Sequence, residues 1–185
     1  MKMNQLLMTT CLAGIVLAGC TTAGNSDKEL IDPLAAYKNL PEENRYRILG
    51  DDSLEAMVEN GTGVIIMAQK NEEDSPYAVY VVHDLLETYD LSAGYYEVMN
   101  EDDRNLVSLV KNNLSSGNVY LEDDISCPLV LFVQKGEIVS LFDDDYFEDH
   151  PSYAVPQLQQ AMESIQSYLQ DQKVDACDEG CQLGG

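Results

Sequence analysis

The chain has 185 residues, with 10 lysines and arginines against 33 aspartates and glutamates, a net charge of −23 and no tryptophan. That length suits one domain with a real hydrophobic core plus short appendages. So large an excess of acid repels nucleic acid and anionic lipid surfaces, which argues against DNA or RNA as a partner.

Lys2 gives a short positive start, and the run from Leu6 to Leu17 is apolar except for Thr9 and Thr10. Ala18 and Gly19 then supply small residues. This layout predicts a secretory signal peptide over residues 1–19, because the run is too short to span a bilayer comfortably. Leu17-Ala18-Gly19-Cys20 resembles the lipobox of bacterial lipoproteins. The resemblance implies that residues 1–19 are removed, that Cys20 carries diacylglycerol, and that the new N-terminus is acylated with a palmitate-type chain. Two or three chains make such anchoring stable, at about 0.8 kcal/mol per buried methylene. The alternative is a plain secretory signal cut nearby, with Cys20 incidental. Residues 20–28, rich in Thr, Gly, Asn and Ser, read as a flexible tether. Thr21 stands where an aspartate resembles an inner-membrane retention signal, so an exported cell-envelope location is expected, on the outer membrane facing the periplasm. No later apolar run is long enough to cross a membrane.

Beyond the tether, residues 29–172 read as one α/β domain with its core in 46–170. Leu30, Leu34, Ala35 and Leu40 predict a short helix after Asp32-Pro33. Tyr46–Leu49 is a brief strand closed by Gly50. Ser53 is the expected N-cap of a helix with Leu54, Met57 and Val58 on one face, stopped by Asn60-Gly61. Val64–Ala68 is a continuous apolar run, the pattern of a strand buried on both faces. A polar loop follows over 69–74. Pro76 opens a long helix on which Val79, Val82, His83, Leu86 and Tyr89 recur at helical spacing. Tyr95–Met99 is the next strand. Asp102 or Asp103 caps a helix containing Leu106, Leu109 and Val110, ending at Ser115–Asn118. Leu129–Val133 is a second buried strand, Lys135-Gly136 a tight turn, and Ile138–Phe142 the returning strand of a hairpin. A last helix is expected over 156–170, with Leu158, Met162, Ile165 and Leu169 inward. Alternation followed by a hairpin implies a mixed sheet with helices on both faces.

Five cysteines are present. Cys11 falls in the leader and Cys20 at the lipid position. Cys177 and Cys181 are separated by three residues that include Gly180, and an oxidising compartment favours their pairing as a disulfide loop in the tail 173–185. Cys127 is then an odd thiol. The acidic stretches Glu122-Asp123-Asp124 and Asp143-Asp144-Asp145 lack the glycine and closing glutamate of a calcium loop and read as solvated loops. With only His83 and His150 and no Cys-His cluster, no metal and no cofactor is expected. Tyr77, Tyr80, Tyr95, Tyr96 and Tyr146 either line a peptide groove or fill core positions.

Three pieces together resemble the thioredoxin fold, over about residues 46–170. Val64–Ala68 is similar to the central strand before the active-site loop. Ser75-Pro76-Tyr77-Ala78 opens the helix where members of that family carry Cys-x-x-Cys. Cys127-Pro128, followed by LVLFVQKGEIVSLF, resembles the family's cis-proline, next strand and final hairpin. Among exported relatives, the chain resembles thioredoxin-like lipoproteins and bacteriocin-transport accessory proteins. The resemblance implies a degenerate site. Dithiol exchange needs an attacking thiolate and a resolving thiol, and Ser75 and Ala78 supply neither. It also places Cys127, before the proline, beside the missing dithiol. Two functions are therefore expected in competition. One is a non-catalytic, membrane-anchored protein binding a protein or peptide partner in the cell envelope. The other is a thiol enzyme or redox sensor using Cys127. SPYA is also a sufficient helix start by itself, with Ser75 as N-cap and Pro76 at N1.

Overall fold

A computed structural model describes residues 32–100, 103–116, 121, 125–149 and 154–181, and side chains at all of these except 148, 149, 154, 155 and 173–181. The described residues belong to one compact unit. The expected signal peptide, Cys20, the expected tether, the Glu122–Asp124 stretch, His150 and residues 182–185 lie outside the described residues.

A 3₁₀ turn, Pro33–Ala36, is followed by β1 (Tyr46–Ile48), α1 (Asp51–Asn60), β2 (Gly63–Ala68), α2 (Ser75–Thr88) and β3 (Ala93–Glu97). Then come α3 (Arg104–Asn112), β4 (Leu129–Gln134), β5 (Glu137–Phe142), α4 (Asp144–Asp149) and α5 (Ala154–Cys181). The five strands form one sheet in the order β1-β3-β2-β4-β5. β1 and β2 run parallel to β3, while β4 runs antiparallel to both β2 and β5. This is the strand order of the thioredoxin fold, so the α/β class implied by the resemblance holds.

β2 explains the layering. All six of its residues are buried. Val64, Ile66 and Ala68 point to one cluster, with Val79, Val82 and Leu86 of α2 and Leu158, Met162 and Ile165 of α5. Ile65 and Met67 point to the other, with Leu54 and Val58 of α1 and Leu106, Val107 and Val110 of α3. β4 alternates in the same way, with Val130 and Phe132 on the first side and Leu129, Leu131 and Val133 on the second. A period of two on a strand covered on both faces therefore yields a run with no polar position. Each such side chain contributes about 1.5–3 kcal/mol when fully buried.

Several boundaries differ from expectation. α1 is capped by Gly50, not Ser53: Ser53 and Leu54 both donate backbone N–H to Gly50 O, at 3.0 and 2.9 Å. Asp51 and Asp52 occupy the first turn, where carboxylates favour the positive end of the helix. β3 begins at Ala93-Gly94, two residues before the expected tyrosine run, and ends at Glu97. A Cβ at Gly94 would meet Leu49 Cδ1 at 2.4 Å, so the glycine lets Leu49 lie against the strand. Asp103 is the cap of α3, accepting from Asn105 N at 2.9 Å. The acidic stretch at 143–149 is not a solvated loop: α4 covers it and buries Phe147. α5 continues to Cys181 rather than ending near Gln170. The Cys177 and Cys181 side chains, and with them the expected disulfide, lie outside the described residues. No helix among the described residues is long and apolar enough to cross a membrane.

Candidate functional site

Parallel β2 and β3 end at Ala68 and Glu97, and antiparallel β4 starts with Leu129 opposite Met67. The Cys127–Pro128 bond, which is cis, therefore sits at the end of the sheet from which β2 leaves for the 69–74 loop. α2 starts after that loop with Ser75-Pro76-Tyr77-Ala78. Topology thus brings both sequence-predicted pieces to one end of the sheet.

The start of α2 is not capped by Ser75. Asp74 is the N-cap, in helical conformation and without a side-chain capping bond, and Ala78 N donates to its carbonyl at 3.1 Å. Ser75 is the first helical residue and Pro76 the second, where a missing N–H costs nothing. Ser75 is fully buried, and its Oγ has no hydrogen-bond partner among the described residues. Ala78 is fully buried too. Three apart on a helix, positions 75 and 78 share a face. Half-buried Tyr77 stacks edge-on against Phe147 of α4, with ring centroids 6.3 Å apart. α4 thereby pins the start of α2 to the hairpin, through Tyr146 on Phe142 at 4.7 Å.

Cys127 is 5% exposed and carries a thiol rather than a disulfide. It packs in the cluster shared with α1 and α3. Tyr37 begins a hydrogen-bonded row that the sequence did not reveal. Tyr95 Oη donates to Glu97 Oε2 at 2.7 Å, and the Tyr37 and Tyr95 hydroxyls are 3.0 Å apart. A carboxylate only accepts, so the direction is fixed: Tyr37 donates to Tyr95, which donates to Glu97. Glu97 Oε1 also accepts from Lys70 N at 3.3 Å. Burial, foremost, pushes the Tyr37 phenol up to about 12; its bond to Tyr95 works against that and the Glu97 charge works with it. Tyr95 is raised further, by burial first and then by its bonds to Tyr37 and Glu97.

The five tyrosines singled out in the sequence do not line one groove. Tyr95 is a fully buried core residue. Tyr77, Tyr80 and Tyr146 are half-buried against the α2–α5 side, and Tyr96 lies on the α1–α3 side, donating to Asp51 Oδ1 at 2.9 Å. Among the described residues no three His, Cys, Asp or Glu side chains gather as metal ligands. His83 is buried beside Tyr46, its ring 6.2 Å from that of Tyr46, and its Nε2 has no partner among the described residues.

The chemistry of this end is thus one buried thiol, one buried serine hydroxyl and a row of neutral phenols ending on a carboxylate. A serine hydroxyl stays protonated near neutral pH and forms no disulfide, and between residues 32 and 172 the sequence has no cysteine other than Cys127.

No protein-family model matches the sequence, and no curated protein matches it. Among solved structures, one described as a putative oxidoreductase with a thioredoxin fold is similar over 63% of this chain and 93% of its own, at 22% identity and a TM-score of 0.45. Oxidised thioredoxin O2 from Arabidopsis thaliana is similar over 65% of this chain and 94% of its own, at 15% identity and a TM-score of 0.41. The thioredoxin-like fold of this chain rests on its own strand order and register.

Proposed function

We propose that this chain is a membrane-anchored thioredoxin-like lipoprotein of the cell envelope that binds a protein or peptide partner and does no dithiol chemistry. One observation carries the reading: α2 begins with Ser75 and Ala78 on one face, both fully buried, at the end of the sheet where Cys127-Pro128 also lies. The scaffold that would hold a dithiol is present and the dithiol is not. Lipid on Cys20, at the end of Leu17-Ala18-Gly19-Cys20, supplies the anchor, and Thr21 favours the outer membrane facing the periplasm. The competing reading, thiol chemistry at Cys127, has the position of that residue before Pro128 in its favour. Its 5% exposure counts against it, as does the absence of a resolving cysteine between residues 32 and 172.

The double substitution Ser75→Cys with Ala78→Cys tests the site. We expect an intramolecular disulfide, seen by mass as the loss of two hydrogens, and reduction of a protein disulfide that the wild-type chain does not reduce. Failure of the two introduced thiols to pair would show that these are not the dithiol positions. The anchor is tested separately: Cys20→Ser moves the protein out of the membrane fraction, and a variant that remains there as lipid-modified protein contradicts the anchor.

A further inference from the structure

Thr62 and Ser92 stand just before β2 and β3, at the end of the sheet opposite Cys127–Pro128. With residues of β1 and α1 they line a cavity of about 490 Å³, within the range of about 300–1,000 Å³ usual for ligand sites. Small residues leave the space open. Ala56 of α1 is exposed, and a Cβ on Gly94 would collide with Leu49, which also lines the cavity. Of the ten lining residues, Arg47 alone is charged. Its guanidinium makes no ion pair or hydrogen bond among the described residues, in a chain with 33 acidic side chains. Arg45, two residues earlier, is the contrast: it reaches Glu87 at 3.1 Å and Asp90 at 2.9 Å.

A second cavity, about 380 Å³, adjoins the first, because Met57, Thr62 and Ser92 line both. Leu91, Ile165 and Leu169 give it an apolar wall. Its one charged lining residue, Asp90, is already paired with Arg45. Met57 Cε reaches over Gly63, where a Cβ would lie 2.9 Å from it. An unbranched thioether adapts to what lies beside it, so Met57 is a movable partition between the two cavities. Polar groups along this path are engaged within the chain. Thr62 Oγ1 accepts from Lys135 N at 3.0 Å, and Tyr89 O accepts from Gln166 Nε2 at 2.6 Å. An extended peptide would bring an N–H and a C=O at each residue in need of partners, whereas an alkyl chain brings none. The free fork of N–H donors on Arg47 matches a carboxylate. The net charge of −23 repels anions at long range, so recognition of an anion here depends on that local cation.

We propose that this cleft binds an alkyl carboxylate of the fatty-acid class, with its carboxylate on Arg47 and its chain running past Met57 toward Leu91 and Leu169. Arg47 is exposed, which keeps the headgroup at the mouth, hydrated on its outer side, while the tail leaves water. The site lies at the other end of the sheet from Cys127–Pro128 and does not depend on the partner-binding reading of that end.

The test titrates sodium decanoate, below its micelle concentration, into the full chain. Calorimetry reads the binding, and amide proton–nitrogen shifts locate it. One saturable site is expected, with the largest shifts at Arg47, Ala56, Thr62 and Ser92. Arg47→Gln is expected to weaken binding about fivefold, the size of a solvent-exposed ion pair. Ala56→Leu fills the cleft from an exposed helix position and is expected to abolish saturable binding with the amide spectrum otherwise kept. Binding that does not saturate, or shifts that gather at the Cys127 end or spread over the surface, overturn the site. So does equal affinity of wild type and Arg47→Gln, or of wild type and Ala56→Leu. An apolar peptide with a free C-terminal carboxylate that displaces decanoate from the same amides and binds more tightly overturns the alkyl occupant. None of these outcomes bears on the Ser75→Cys with Ala78→Cys test, so failure here leaves the reading of the Cys127 end standing.

Discussion

Tyr37, Tyr95 and Glu97 join the segment before β1 to β3 through two hydroxyls that must stay protonated to donate. Tyr37, Tyr96 and Tyr146 are each raised to about 12, chiefly by burial, and Tyr46 and Tyr95 are raised as well, again by burial first. The sign follows from linkage. A phenol with a higher pKa in the folded chain than in the unfolded one holds its proton more tightly when folded. Its contribution is complete below pH 10 and is lost as pH rises through about 12. Alkaline titration followed by tyrosinate absorbance and circular dichroism is therefore expected to show a late group of phenols ionising together with loss of structure. Ionisation of all eleven tyrosines near pH 10 with the fold intact contradicts this.

At the scale of elements, the parts legible in the sequence are those whose signal is local. β2 and β4 are continuous apolar runs, α2 shows a helical period behind a proline, and Lys135-Gly136 forms the hairpin turn with both residues at positive φ, 49° and 80°. Gly136 could be no other residue without movement. A Cβ there would lie 1.9 Å from Glu59 O, because the hairpin tip donates Gly136 N to Gly61 O at 3.0 Å and packs on the end of α1. What escaped reading lacks a local signal or carries a misleading one. Asp143–Asp145 reads as a solvated loop, yet Tyr146 and Phe147 just behind them are what fold α4 against α2 and β5. Ala93-Gly94 has poor strand propensity but faces Leu49 at close range. The site divides in the same way. SPYA and Cys127-Pro128 stand out in the sequence as a resemblance, through their order relative to two apolar runs, and the topology puts them at one end of the sheet. The Tyr37–Tyr95 bond joins residues 58 apart in sequence, and no local pattern announces such a pair.

For the whole molecule, two separate clusters on the two faces of one sheet hold the α2 start and the Cys127–Pro128 bond at one end. Neither cluster contains a dithiol, and the sheet is covered on both faces without one. Fold alone then names no activity, and the distinction between a binding protein and a thiol enzyme falls on Cys127. The most direct measurement is thiol–disulfide exchange by the wild-type chain with a disulfide-bonded protein under excess reductant, compared with Cys127→Ser. The account predicts no turnover above the reductant alone and no difference between the two chains. Turnover by the wild type that disappears in Cys127→Ser contradicts it and makes Cys127 the working thiol of an enzyme.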